Sequence, residues 1–135
     1  MPTRATVPSL FPPPQYAHAA VLDPGERLVV TAGAVPVDRE GNLIGAGSVP
    51  EQTEAVIANL EAALRSVGSS LEQVIQSRIY VVAENRSDLG AAWEVVRASD
   101  LSAGPHCSTL LGVAMLGYTG QLVEIEALAV VLKVA

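Results

Sequence analysis

The sequence predicts an α/β fold of the α+β kind, a mixed β-sheet with two helices on one face. Three observations carry this. Residues 50–67 and 88–96 each place apolar side chains three and four positions apart, the spacing of one helix face. Val74–Val82 and Leu122–Val134 are rich in β-branched residues and alternate as strands do. The chain has 135 residues, the size of one domain, and is 50% apolar but only 4% aromatic, so its core must be built from Val, Leu, Ile and Ala.

Taken in order, Met1–Pro14 holds five prolines. Proline fixes φ and lacks an N–H, so this reads as an extended or disordered arm, free to lie over a neighbouring subunit. Residues 15–135 read as a single domain. Tyr16–Val21 is a short strand, and Asp23-Pro24-Gly25 has turn chemistry. Arg27–Thr31 is a second strand, interrupted by Ala32-Gly33, where a glycine signals a bulge or a close backbone approach. Asp38–Asn42 turns the chain between Val35–Val37 and Leu43-Ile44.

Pro50 opens the first helix, with Glu51 and Glu54 favourably placed in its first turn. Its stripe is Val56, Leu60, Ala63, Leu64 and Val67, and Gly68 ends it. Ser70–Glu72 leads into the strand Val74–Val82. After a loop at Asn85–Ser87, Asp88 begins a second helix with the stripe Leu89, Ala92, Trp93 and Val96. Ser99–Pro105 breaks it, and Cys107–Val113 and Leu122–Val134 form the last strand pair. With both helices on one side, the other sheet face still carries Leu128, Val130 and Leu132, which need a partner. A mean hydropathy of +0.37 points the same way.

A net charge of −6, with a single lysine, argues against a nucleic-acid partner, since phosphate binding needs clustered Lys and Arg. One cysteine allows no intrachain disulfide and suits a reducing, cytoplasmic setting. No segment has the ~18 consecutive apolar residues of a membrane span. Phosphate loops, dinucleotide fingerprints and metal-ligand spacings are missing, so neither a cofactor nor a metal is expected.

The most informative stretch is the last quarter. Residues two apart on a strand share a face, so Glu124 and Glu126 point the same way, roughly 6–7 Å apart at Cα, while Val123, Ile125 and Ala127 point into the core. Cys107 and Thr109 likewise share a face. Such strands make a plausible wall for a small polar pocket. A Cys107 thiolate would be a nucleophile given a base, and His18, on the same face as Tyr16, is a better partner than His106, which faces away. The alternative is a small buried cysteine and a surface histidine. Arg78 either brings positive charge to the pocket or pairs with Glu126.

These residues also carry a resemblance. Gly104-Pro105-His106-Cys107-Ser108-Thr109 followed by Val123-Glu124-Ile125-Glu126-Ala127 resembles the C-terminal signature of the Rid family, the YjgF-type reactive-intermediate deaminases. Gln15-Tyr16-Ala17-His18-Ala19 sits where that family has P-Y-S-Q-A, and Val30–Pro36 where it has F-T-S-G-Q-I-P. Gln52, Asn59 and Gly68 keep its spacing. The resemblance implies a chorismate-mutase-like homotrimer whose sheets close into a barrel, with pockets for a small molecule at the subunit boundaries. It implies hydrolysis of enamines or imines to ketones with release of ammonia. Tyr16, Gly33 and Thr109 correspond to pocket residues. Glu124 corresponds to the glutamate that positions water, or survives as a hydrogen-bond acceptor at the subunit boundary. Two departures stand out. Cys107 replaces the arginine that forks onto the substrate carboxylate, and Ala32 replaces a serine. The expected function is therefore a divergent hydrolase or deaminase acting on a small reactive metabolite without the usual carboxylate, or a non-catalytic binding trimer. Older family names invoke ribonuclease activity, which this charge balance does not support.

Overall fold

The computed structural model describes residues 1–131. Its elements are β1 (Thr3–Ala5), β2 (Ala19–Val21), β3 (Leu28–Val30), α1 (Val49–Ser66), β4 (Val74–Val82), α2 (Arg86–Arg97), β5 (Cys107–Val113) and β6 (Val123–Val130). One sheet has the order β3-β6-β4-β5, and β1 pairs with β2 in a separate ribbon. Within the larger sheet β4 and β5 run parallel and the other pairs antiparallel, so the sheet is mixed, as expected.

The arm is a built part of the fold. Thr3–Ala5 pairs with Ala19–Val21, and the Arg4 guanidinium donates to the carbonyls of Gly104, Pro105, Glu72 and Val74 at 2.7–3.0 Å. Three residues are too short a run for alternation to register in the sequence. The expected extended pair at 35–44 shrinks to one bridge, Val37 to Leu43. The Asp38 carboxylate still closes that turn, accepting from the backbone N–H of Glu40 and Asn42.

Both helices start where side chains satisfy free backbone donors. Ser48 accepts from the Glu51 N–H ahead of Pro50, and Asn85 accepts from the Ser87 N–H. The second cap moves the start of α2 from the expected Asp88 to Arg86. Gly68, at φ +82°, closes α1 as predicted. The buried arc of α1 is Gln52, Thr53, Val56, Ile57, Leu60 and Leu64. Ala63 and Val67, expected in the stripe, face solvent; Val67 is the C-cap, with non-helical φ and ψ, and so leaves the helix face.

The core lies between the helices and one sheet face. Val56, Leu60, Leu64, Ala92 and Val96 pack over Ile79, Val81, Val123, Ile125, Ala127 and Ala129. On the opposite face Leu28 and Val30 stand 50% and 71% exposed beside half-buried Leu128. Val130, expected on that open face, is buried. The Ser69 hydroxyl donates to its carbonyl at 2.6 Å, folding the turn after α1 over this strand end. Leu132 and the expected strand end at Val134 lie outside the described residues.

Candidate functional site

Glu124 sits on the open face of β6, and its position is set by a bulge. The β3–β6 register moves by one residue between the pairs Val30–Leu128 and Ala34–Ile125, leaving Ala32-Gly33 out of the ladder. Gly33 thereby meets the Glu124 side chain. A Cβ at Gly33 would lie 2.6 Å from Glu124 Cδ and 2.8 Å from Cγ, and would overlap Oε2. Only glycine leaves this seat open. Gln121, itself buried, donates from Nε2 to Glu124 Oε1 at 3.1 Å and to the Val123 carbonyl at 3.0 Å. Behind it, buried Gln52 accepts from the Leu122 N–H and donates to the carbonyls of Gly45 and Gly120. Asn59 donates to the carbonyls of Val35 and Val37. The Gln–Asn spacing noted in the sequence thus fixes the two loops that flank Glu124.

A second group lies at the free edge of β5. Tyr16 bridges to His106 and meets Trp93 of α2 edge-on, with ring centroids 6.3 Å apart. Pro14, Tyr16, Trp93, Ser108, Thr109 and Leu110 line a cavity of about 350 Å³ there, and none of these side chains is charged. His18 does not face Cys107. Its Nδ1 accepts from the Val7 N–H at 2.9 Å, which makes Nε2 the donor to the Phe11 carbonyl at 3.2 Å, so it ties down the arm. Burial raises the Cys107 thiol above its ordinary pKa, with nearby Arg4 opposing that shift. Cys107 is therefore a protonated thiol near neutral pH rather than a ready nucleophile.

Neither arginine near the pocket is free to grip a carboxylate. Arg4 is engaged with four carbonyls, and Arg78 pairs with Glu126 at 3.3 Å. Glu126 also accepts from Tyr80 Oη at 2.7 Å, and this bond raises the phenol pKa.

The structure brings some of the expected site residues together and separates others. Gly33 and Glu124 form one group, with exposed Ala32 beside them; Tyr16 and Thr109 belong to the other. Glu124 pairs across β4 with Tyr80, whereas Cys107 pairs with Gln76 on the far side of β4. Two strand spacings and four residues separate them, roughly 15 Å at Cα. Within one chain Glu124, Cys107 and His18 therefore do not form a common site. Gln121, Trp93, Ser108, Ser77 and His106 were not among the expected site residues. Strand alternation did place His106 opposite Cys107, but nothing in the sequence signals its full burial.

Among the described residues no three His, Cys, Asp or Glu gather as a metal site would require, and no helix is long and apolar enough to cross a membrane.

Comparison with known proteins agrees with this architecture. A crystal structure from Yersinia pestis, described as a Rid-family protein of unknown function, superposes with a TM-score of 0.84 at 27% identity, covering 96% of this chain and 98% of that one. The mitochondrial protein mmf2 of Schizosaccharomyces pombe is 32% identical over 103 residues, 76% of this chain and 79% of that protein. A RutC family protein of Pyrococcus abyssi is 34% identical over 70 residues, 52% of this chain, and the match spans only 54% of that relative's length. The family described as endoribonuclease L-PSP matches residues 9–131. The chain belongs to that family, which includes the RutC and Rid (YjgF-type) proteins.

Proposed function

We propose that this protein hydrolyses a small enamine or imine that lacks a carboxylate, releasing ammonia, at sites formed between the subunits of a homotrimer. The observation that supports this most is the seating of Glu124. Its carboxylate is packed on the bare Cα of Gly33 and held by Gln121, a geometry that fixes one acceptor at the end of an open sheet face. In the proposed reaction Glu124 takes a proton from water as the oxygen attacks the C=N carbon. That proton passes to nitrogen to give a carbinolamine. On its collapse Glu124 takes the remaining hydroxyl proton and passes it to nitrogen as the C–N bond breaks and the C=O forms, leaving a ketone and ammonia. An enamine substrate first moves an N–H proton to its β-carbon to become the imine. A carboxylate-free substrate is favoured because Cys107 stands at the arginine position while Arg4 and Arg78 are both engaged. The separation of Glu124 from the Tyr16–Thr109 cavity favours a site drawing one half from each of two subunits. Exposed Leu28 and Val30 give a reason to assemble. A single cysteine, with no intrachain partner for a disulfide, suits a cytoplasmic setting.

The test is ammonia release from enamines generated in situ, with and without a carboxylate, alongside light scattering for the trimer. The parent should act on the uncharged substrate, and Glu124→Gln should lose at least about a hundredfold in rate. No release above the uncatalysed rate, with ligand binding retained, would instead leave a non-catalytic binding trimer, the reading favoured by the uncharged cavity lining.

A further inference from the structure

A groove runs between α1 and α2. From α1 it is lined by Glu54, Ile57, Ala58 and Glu61, and from α2 by Ala91, Glu94, Val95 and Ala98. Spacings of three and four make each set a single stripe on its helix. Pro50 extends the α1 stripe, so the groove follows that helix for about three turns, or about 16 Å. Leu71 closes the floor, and the cavity measures about 740 Å³. No strand residue lines it, so assembly through the open sheet face leaves it free.

The groove has an apolar floor and an acidic rim. Ile57 and Leu71 are buried, Val95 is half-buried, and Ala58 and Ala98 are exposed. Their single methyls let another backbone approach closely. Every charged residue of the lining is a carboxylate: Glu54, Glu61, Glu94 and Asp100. Glu61 and Glu94 pair with Arg65 and Arg97 of their own helices. Glu54 and Asp100 are exposed, and among the described residues neither is in an ion pair. A second copy of this chain fits such a rim poorly. It brings a net charge of −6 and would set carboxylates against carboxylates.

We infer that this groove docks an amphipathic helix of another protein, about three turns long, with an apolar stripe flanked by Lys or Arg. The stripe covers Ile57, Val95 and the alanines and supplies the affinity. The flanking cations meet Glu54 and Asp100 and choose the partner, since exposed charges at a rim set specificity and on-rate more than binding strength. The groove shares no residue with the Glu124 site or the Tyr16–Trp93 cavity, so this docking stands apart from the proposed reaction.

The test uses three fluorescently labelled synthetic peptides of about 14 residues, read by anisotropy. The first sets Leu and Ala at helical spacing between flanking Lys residues. The second has Glu for each Lys, and the third scrambles the first so that no stripe forms. The full-length protein should bind the first at least about tenfold tighter than either of the others, and less tightly as salt rises from about 50 to about 500 mM. Ala58→Arg puts bulk and a cation in the groove and should weaken the Lys peptide at least about tenfold. Ala63→Arg adds the same charge at an exposed α1 position outside the groove and should change binding by less than about twofold. Glu54→Gln combined with Asp100→Asn keeps the packing and should cut the preference for Lys over Glu by about threefold or more. Equal losses from the two Arg variants would mean that attraction is spread over the whole acidic surface. That result, equal affinity for the Lys and Glu or scrambled peptides, or no saturable binding would each overturn the inference. So would light scattering in which Ala58→Arg alone lowers the mass of the peptide-free protein, since the groove would then belong to a second copy.

Discussion

Burying His106 should give the protein an acid limit. The imidazole pKa falls from its ordinary value to about 4 in the folded chain, chiefly by desolvation and secondarily through Arg4. In the unfolded chain it returns to about 6.5. Between these values the unfolded state binds the extra proton, so stability is complete above about pH 6.5 and declines as pH falls toward 4. The full loss is roughly 3 kcal/mol, of which about 2 kcal/mol falls between pH 6.5 and 5. The exposed carboxylates of Asp38, Glu72 and Glu94 are held below their ordinary pKa values, mainly by hydrogen bonds, and their contributions disappear only at lower pH. The window above pH 5 therefore separates His106 from these carboxylates, and the His106→Ala comparison assigns the loss. Urea denaturation at pH 7.5 and 5.0, at one protein concentration, measures the loss. His106→Ala is expected to be less stable at both pH values because it leaves a cavity, but that cost cancels in the difference between them. If the variant loses as much stability on acidification as the parent, the loss does not come from His106 and the reasoning fails.

Gly33→Ala should displace the Glu124 carboxylate, costing about 1–3 kcal/mol in stability and most of any hydrolytic activity; thermal melts and ammonia assays check both. Arg4→Ala leaves four carbonyls without their donor and should cost about 2–4 kcal/mol, with faster proteolysis of the first 18 residues. Cys107→Arg should restore a carboxylate fork worth about 1.5–3 kcal/mol, so 2-ketobutyrate should bind about ten- to a hundredfold tighter by calorimetry. Equal, negligible binding by a folded variant would mean that the pocket was rebuilt rather than stripped of one residue.

What could be read from the sequence follows the range of the forces involved. Alternation along β6 put Glu124 and Glu126 on one face and Val123, Ile125 and Ala127 in the core, because a strand's period is local. Gly33 was legible as a break in β3 for the same reason. That it makes room for Glu124, about 90 residues later, depends on the β3–β6 register, which no local pattern encodes. Arg4 is the extreme case. Its four acceptors come from the start of β4 with the turn before it and from the stretch before β5, and the residue reads as a stray charge in a proline-rich arm until the chain is folded.

The same distinction explains the candidate site. The replacement of an arginine by Cys107 left Arg78 with two readings, a substitute charge for the pocket or a partner of Glu126, and the structure pairs it with Glu126. Folding puts a guanidinium near Cys107, but it comes from Arg4 and is directed at backbone carbonyls. The charge acts on the thiol only at a distance and leaves no N–H fork for a ligand. At the neighbouring position, burial converts His106 from a side chain expected merely to face away from Cys107 into the neutral terminus of a hydroxyl chain. Both residues flank the same strand start. Exchanging one cation for a thiol, with a buried, neutral imidazole beside it, takes charge out of recognition there.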